Sequence, residues 1–304
     1  MTRFVLAHLS DPHLAPPPLP MTAGNVLSKR LLSRLSWARK RRFEHRPQVL
    51  DAIVADLVAH KPDHVAITGD LTNFAAPEEF AAARAWLQGL GSSEDVTVIP
   101  GNHDALVDLP PVQGLLQWAD FLTDTPAEVA FPAIRVRGPV ALIGVCSAIP
   151  TPPGSAAGRV GAHQRERLLT ALTDLGREGL FRVVLIHHPP ADGLVKKRKS
   201  LLDAAEFRQV IQAAGAELVL HGHGHEPAVS SLPGPREPIP CLGAPSASAV
   251  AGGRHAAARW RRIEIEDPGG EARVTVVERG LGEDGATVRE LGTYRLAGPR
   301  PAPR

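Results

Sequence analysis

Apolar and polar residues follow two different periods along this chain. Six short apolar runs rich in β-branched residues predict strands, at residues 4–9, 64–68, 96–100, 140–146, 182–188 and 216–222. Between several of these runs, apolar residues recur at helical spacing, as in PQVLDAIVADLVAH at 47–60. The same spacing predicts helices at 77–90, 161–175 and 205–215. Strands interspersed with helices are typical of an α/β fold.

The pattern changes after residue 256. Three alternating segments divided by glycine-containing turns predict strands at 258–266, 272–279 and 288–296. We therefore predict an α/β domain in two sheets, closed by C-terminal antiparallel strands. Residues 1–298 are expected to form this single domain, with a proline-rich and basic insert at 15–46, and residues 299–304 to form a disordered tail.

Composition restricts the class of protein. The chain has 304 residues, of which 43% are hydrophobic and 22% charged, as in ordinary globular proteins. The start MTRFVLAHLSD is interpreted as a strand and not a signal peptide, and no apolar run is long enough to span a membrane. Cys146 and Cys241 are too few for a disulfide framework and suit a reducing compartment. We expect a cytoplasmic location.

Positive charge is concentrated in one segment. Residues 29–46 hold eight Lys or Arg and one Glu, so the rest of the chain is net negative although the total is +2. At 100° per residue, the segment predicts a basic amphipathic helix with one apolar arc and one cationic arc. The apolar arc contains Leu27, Leu31, Leu32, Leu35 and Ala38, and the cationic arc contains Lys29, Arg30, Arg34, Lys40 and Arg41.

Two interpretations of this helix remain open. It is either a surface helix whose leucines pack on the domain, or a cap beside a functional site. As a cap, residues 26–46 would contact an anionic lipid surface at the inner face of the membrane, or a lipid-linked phosphate. Only Trp37 and Phe43 interleave with the cations, so nucleic acid is not an expected partner.

Metal-competent side chains follow five of the predicted strands. The motifs are SDPH (10–13), TGD (68–70), GNHD (101–104), IHHPP (186–190) and HGHGH (221–225). Open α/β sheets place their sites at the carboxyl ends of strands, so we expect these side chains to converge. Imidazole and carboxylate ligands without thiolate suit Mn, Fe or Zn.

These motifs resemble the signature of the calcineurin-like metallophosphoesterase superfamily, with all five blocks in order over residues 11–225. GRVGAHQRERLLTAL (158–172) and GAPSASA (243–249) are similar to its cyclic-nucleotide and glycerophosphodiester phosphodiesterase-like branch. The resemblance implies a four-layer α/β/β/α sandwich and two divalent metal ions.

The resemblance also implies a role for each motif residue. One metal would be held by Asp11, His13, Asp70 and His225. The other would be held by Asp70, Asn102, His187 and His223, so that Asp70 bridges the two. His103 would lie over the substrate as the catalytic residue, where it neutralises phosphoryl charge or protonates the leaving group.

One position departs from the family pattern. Many relatives carry an aspartate in GDxxD that orients the catalytic histidine, whereas this chain has GDLTN and therefore Asn73. Either Asp104 or another group replaces the aspartate, or His103 acts as a hydrogen-bond donor with less acid character. His221 is expected to be structural. His188 is expected either to face the substrate or to have a packed or exposed role elsewhere.

The predicted activity is that of a phosphoric ester hydrolase. A metal-bridging hydroxide would attack a phosphodiester in line. The alternatives are a pyrophosphatase of a nucleoside-diphosphate-linked lipid at a membrane surface, suggested by the basic insert, and a catalytically inactive binding scaffold. The scaffold is disfavoured because the motif residues are intact, including Asp11, Asp70, Asn102, His103 and His223.

Overall fold

The protein is built on two six-stranded sheets that pack face to face. This computed structural model describes residues 3–18, 29–268 and 272–296. The first sheet has the order β12-β11-β10-β1-β2-β3 and the second the order β4-β5-β6-β7-β9-β8. The strands are β1 (Arg3–Leu9), β2 (His64–Ile67), β3 (Val96–Val98), β4 (Ala133–Arg137), β5 (Val140–Val145), β6 (Phe181–Ile186), β7 (Leu218–His221), β8 (Ala228–Leu232), β9 (Ile239–Gly243), β10 (Arg259–Glu266), β11 (Arg273–Leu281) and β12 (Val288–Leu296).

Helices cover the outer faces of both sheets. They are α1 (Lys29–Ser36), α2 (Arg42–Glu44), α3 (Pro47–Ala59), α4 (Pro77–Leu90), α5 (Ala119–Leu122), α6 (Ala162–Arg177) and α7 (Ala204–Ala214), and a π-helical turn (Trp37–Arg41) joins α1 to α2. None of these helices combines the length and the apolar character needed to cross a membrane. The predicted helices correspond to α3, α4, α6 and α7.

Three apolar cores separate the four layers. In β1, Leu6 points into the core between the sheets, while Ala7 and Leu9 point to the core beneath α3 and α4. This opposition is the two-residue period of a strand buried on both faces. A third core joins the second sheet to α6 and α7. The predicted four-layer α/β/β/α sandwich is confirmed.

Parallel pairing gives the carboxyl ends of the central strands a common direction in each sheet. β1, β2 and β3 run parallel in the first sheet, and β5, β6, β7 and β9 run parallel in the second. β10, β11 and β12 extend the first sheet as the predicted antiparallel strands. The sequence analysis did not predict β4, β8 and β9. All three are short, and β4 and β8 lie at the two edges of the second sheet.

The basic segment forms a structured cap, and we call residues 29–44 the cap segment. Its polar side faces the protein. Lys29 Nζ donates to Thr151 O at 3.1 Å and Ser155 O at 3.0 Å, and Arg30 Nε donates to Phe74 O at 3.0 Å. Leu32 and Leu35 do not pack on the domain: they are 54% and 41% exposed, and Leu32 lines an open pocket beside Lys29.

This orientation corrects the interpretation in which the leucines pack on the domain. It is wrong for Leu32 and Leu35, because the surface beneath α1 is made of loop carbonyls that require donors and not apolar contacts. Leu27, and the part of the insert before residue 29, lie outside the described residues, as does the tail 299–304.

Candidate metal centre

The two sheets bring together all seven predicted metal ligands. The first sheet supplies Asp11 and His13 after β1, Asp70 after β2 and Asn102 after β3. The second sheet supplies His187 after β6, and His223 and His225 after β7. Residues separated by more than 200 positions in the chain therefore meet at one edge of the sandwich.

The Asp70 carboxylate lies between two groups of donor atoms. Its Oδ1 accepts the main-chain N–H of His103 at 2.7 Å, which fixes the orientation of the carboxylate. Its Oδ2 lies 3.4 Å from His187 Nε2 and 3.9 Å from His13 Nε2. Oδ2 is therefore the atom that faces both groups.

The first group contains Asp11, His13 and His225. His225 Nε2 lies 3.1 Å from Asp11 Oδ1 and 3.2 Å from His13 Nε2. Ligands bound at 2.0–2.2 Å around one ion are themselves separated by about 3 to 3.5 Å, so these spacings match a shared metal. The Asp11 carboxylate is held by His225, and this neighbour lowers its pKa although burial alone would raise it.

The second group contains Asn102, His187 and His223. His187 Nδ1 donates to Thr68 O at 2.6 Å, so its Nε2 presents a lone pair, 3.2 Å from Asn102 Oδ1. His223 Nε2 donates to Lys199 O at 2.9 Å, which leaves Nδ1 as the ring atom that could bind a metal. Such N–H donation to a carbonyl is how proteins fix the tautomer of a metal-binding histidine. The donor chemistry of both groups fits two divalent metals.

Backbone strain is concentrated at these ligands. Asp11, His13, Asp70, His223 and His225 adopt positive φ angles between 41° and 66°. L-residues avoid this region, and it persists where surrounding structure enforces it, often at functional sites. The backbone at these residues therefore adopts a conformation that positions the candidate ligand atoms and is not that of a regular helix or strand.

Two glycines allow the close approach of the ligand loops. A Cβ at Gly101 would collide with the Asp70 carboxylate, and a Cβ at Gly222 would collide with Ser10 and Asp11. Position 222 must therefore be glycine so that the loop can approach the Asp11 carboxylate. The next residue, His223, donates its main-chain N–H to that carboxylate at 2.9 Å. Gly224 has no such contact, so only the first glycine between the three histidines is explained by crowding.

His103 is oriented by a main-chain carbonyl. Its Nδ1 lies 2.9 Å from Asn73 O, an acceptor for the ring N–H. The Asn73 side chain is turned away and donates to Leu14 O at 2.7 Å. Asp104 does not replace the missing aspartate, because its carboxylate accepts the N–H groups of Asp70, Gly101 and Thr72 and so holds the Asp70 loop.

Sequence reasoning missed two residues at this site, Arg41 and His45. Arg41 Nη2 lies 2.9 Å from His13 Nδ1, and its Nη1 lies 3.4 Å from His103 Nδ1. His45 packs its ring 4.5 Å from that of His13 and 5.5 Å from that of His225. The sequence places Arg41 on the cationic arc of the predicted amphipathic helix. Helical periodicity does not show which cation of that arc enters the site.

His188 and His221, the two motif histidines that are not predicted ligands, have structural contacts. His188 Nδ1 pairs with Ser147 Oγ at 2.7 Å, and its Nε2 lies 3.3 Å from Ala156 O, which ties two loops together. His221 is buried and packs against Gly243, where any side chain would collide with its ring. Neither residue offers an atom to the two donor groups.

Comparison with known proteins agrees with this geometry. A family model described as calcineurin-like phosphoesterase matches residues 4–227, which contain both donor groups. The protein belongs to the calcineurin-like phosphoesterase family. Membership and the donor set together make it a metal-dependent phosphoric ester hydrolase.

Two curated relatives of this family member have similar names. It is 26% identical over 236 residues to a probable cyclic nucleotide phosphodiesterase of Rhodococcus erythropolis, covering 76% of this chain and 68% of the relative. It is 27% identical over 222 residues to a probable cyclic nucleotide phosphodiesterase of Synechococcus, covering 72% of this chain and 78% of the relative.

Two solved structures show the same fold at low identity. A dimetal phosphatase from Danio rerio matches with a TM-score of 0.58 and 11% identity, covering 95% of this chain and 98% of that one. The purple acid phosphatase PPD1 from yellow lupin matches with a TM-score of 0.56 and 12% identity, covering 97% of this chain and 53% of that one.

Proposed function

We propose that this phosphoesterase hydrolyses a phosphodiester with two divalent metal ions. The observation that carries the proposal is Asp70 Oδ2, which faces one donor group through His13 and the other through His187. Asp11, His13, Asp70 and His225 would hold one ion, and Asp70, Asn102, His187 and His223 the other. The names of the two curated relatives support a diester as the substrate class.

The donor set suits Mn, Fe or Zn, and a pair of such ions would supply hydroxide at neutral pH and stabilise the attacking and leaving oxygens. The protein contributes orientation and charge around that centre. His103 is held by Asn73 O with its other nitrogen available to the substrate. Its role is to hydrogen-bond the phosphoryl group or the leaving oxygen.

Arg41 is the second group that we assign to the substrate. A guanidinium only donates hydrogen bonds, and a neutral imidazole has a single N–H. With a metal held by His13 Nε2, the ring hydrogen would be on Nδ1, which then could not accept from Arg41. The Arg41 donors are then available for an anionic phosphoryl oxygen, for which their forked geometry is suited.

Two variants test the assignment. Asp70→Asn should lose one or both metals together with most of its turnover of bis(p-nitrophenyl) phosphate. His103→Ala should keep two metals per chain while kcat falls about 10²- to 10⁴-fold, the usual loss for a proton-transfer group. Asp51→Asn, at an exposed position of α3, is the matched control. Full metal content and a near wild-type rate in Asp70→Asn would refute the two-metal site.

We also propose that the cap segment contacts an anionic membrane surface. The specific observation is that Leu32, Leu35 and Phe43 are exposed on the same segment as the exposed cations Arg39 and Arg42. Interfacial helices combine apolar side chains with Lys or Arg in this way, and each cation adds about 1 kcal/mol on an anionic leaflet.

Flotation with liposomes tests this contact. The wild type should float with phosphatidylserine-containing vesicles at low salt and not with phosphatidylcholine vesicles. The combined change Leu35→Ser, Arg39→Ser, Phe43→Ser and Arg42→Ser should abolish flotation. Removal of two exposed cations from α6, Arg167→Ser and Arg177→Ser, should leave it unchanged. Flotation that is equal in all three proteins, or absent in the wild type, would contradict the proposal.

A further inference from the structure

His45 lies beside the first group of donor atoms, although none of the five sequence motifs contains it. It follows directly after the cap segment, and only 3% of it is exposed. His13, His45 and His225 each offer one ring nitrogen, and these three nitrogens lie within 4.8 Å of one another. Two ligands bound at about 2.0–2.2 Å on opposite sides of one ion are separated by up to about 4.4 Å, so this spacing is close to that of a shared ion.

The hydrogen bonds of His45 determine which of its ring nitrogens carries the hydrogen. Its Nδ1 lies 3.2 Å from Ser246 Oγ and 3.0 Å from Ser248 Oγ. The Ser246 hydroxyl donates its one hydrogen to Asp11 O at 2.7 Å, so towards His45 it can only accept. His45 Nδ1 therefore carries the ring hydrogen, and His45 Nε2 has a lone pair.

This lone pair is buried with the nitrogens of two other histidines. His45 Nε2 has no hydrogen-bond partner among the residues that the structure describes. Close by, His13 Nε2 and His225 Nε2 are 3.2 Å apart, so acceptor atoms from three rings converge at one place. Buried acceptors are costly unless they are satisfied, and one divalent cation satisfies several of them at once.

The position of the His45 ring is fixed by its surroundings. The backbone of His45 pairs with Ala249 in an isolated antiparallel bridge, and the next residue, Arg46, donates its N–H to Ser248 O at 2.9 Å. The Trp37 ring lies nearly parallel to the His45 ring, with 6.5 Å between the centroids. Such support from backbone and side-chain contacts is typical of a histidine that binds a metal.

We propose that His45 is a further ligand of the first metal ion, which it binds through Nε2. This inference rests on the proposed two-metal function and adds a ligand that the sequence motifs do not contain. The first ion would then have five protein ligands, namely Asp11, His13, His45, Asp70 and His225. Five ligands exceed the four of a tetrahedral zinc site and favour a metal with a higher coordination number, such as Mn.

Metal titrations of two matched variants test the proposal. His45→Asn keeps an N–H for the two serines and removes Nε2. Loss of a group that only supports a metal ligand costs about 10- to 100-fold in affinity, so loss of a direct ligand should weaken one of the two Mn ions by about 100-fold or more. At that site, the ratio of Zn affinity to Mn affinity should rise, because fewer ligands suit zinc better.

The control is His255→Asn. The His255 ring lies 5.3 Å from that of His225, but its Nδ1 pairs with Glu226 Oε1 at 3.1 Å. Both Mn affinities should be unchanged in this variant when they are measured by calorimetry. Unchanged affinities in His45→Asn, or an equal loss at both sites, would overturn the inference.

Diffraction gives a readout that does not depend on affinity. In crystals of the Mn-loaded wild type, anomalous scattering at the Mn absorption edge should place the first ion at bonding distance from His45 Nε2. A water molecule between the ion and Nε2 would overturn the inference and leave the two-metal function intact. If the wild type binds no Mn in solution or in the crystal, the proposed function itself is refuted.

Discussion

At the residue scale, Asn73 shows how one position can serve the site through its main chain. Its carbonyl orients His103, while its side-chain N–H₂ donates to Leu14 O in a buried environment. An aspartate at position 73, as in the GDxxD pattern, with the same side-chain orientation would meet the Leu14 carbonyl. A carboxylate has no hydrogen to donate, so two acceptors would face each other.

We therefore predict that Asn73→Asp does not improve the enzyme. It should lower the free energy of unfolding by about 1–3 kcal/mol or more, the cost of an unsatisfied buried group that also carries charge, and it should not raise kcat. Urea unfolding and steady-state kinetics measure the two effects. An increase in kcat without loss of stability would show that the side chain at position 73 reaches His103.

Arg41 and Arg42 are adjacent cations with different surroundings. Arg41 is half-buried and contacts the His13 ring, whereas Arg42 is exposed and lies over Phe43 at 4.6 Å. Arg41→Ala should reduce kcat/KM about 10- to 100-fold, the value of one charge-assisted contact, with both metals retained. Arg42→Ala should stay within about twofold of wild type, since exposed charges contribute little. Similar losses in the two variants would mean that only general positive charge matters.

At the element scale, the start of α4 organises the loop that contacts both His103 and the cap segment. The buried Glu79 carboxylate accepts the N–H groups of Asn73, Phe74 and Ala76 at 2.9–3.0 Å. The same loop supplies Asn73 O to His103 and carbonyls to Arg30. One side chain in the first helical turn thus couples helix capping to the geometry of the site.

Glu79→Ala should therefore impair stability and catalysis together. Loss of three buried acceptor contacts is expected to cost about 1–3 kcal/mol or more in unfolding free energy, and kcat should fall because Asn73 O is no longer fixed. Glu78→Ala, at the exposed neighbouring position, should change neither quantity appreciably. Calorimetric unfolding and kinetics on the same preparations check this. Reduced stability with unchanged kcat would separate the helix cap from the site.

At the scale of the whole molecule, the sandwich buries neutral histidines in its sheets. His64 lies in β2 with no exposed surface, and its Nε2 pairs with Thr97 Oγ1 at 2.7 Å. Burial, with Arg135 and Arg137 nearby, lowers the pKa of His64 to about 3. Between pH 6.5 and 3 the unfolded chain binds a proton at this residue that the folded protein does not bind, so stability falls as pH falls.

The expected slope from His64 is about 1.4 kcal/mol per pH unit below pH 6.5. His64→Gln, which keeps a donor for Thr97, should show a correspondingly smaller loss of unfolding free energy between pH 6.5 and 4.5. His163→Gln, at an exposed position of α6, should retain the wild-type slope. Urea titrations at several pH values give the three slopes. Identical slopes would mean that His64 is not buried in its neutral form.

Local patterns in the sequence encode the main elements and the motif residues of this protein. The period of apolar residues defined the buried central strands and the outer helices. The motifs after those strands located the predicted metal ligands, because parallel strands end at a common edge. Contacts between side chains and loops that are far apart in the chain are visible only in the tertiary structure. The edge strand β8 is rich in small and exposed residues and gave no apolar signal, since little of it is buried. Three features depend on donors and acceptors from loops far away in the chain, and no period in the sequence records those partners. They are the exposure of Leu32 and Leu35, the entry of Arg41 into the site and the use of the Asn73 carbonyl.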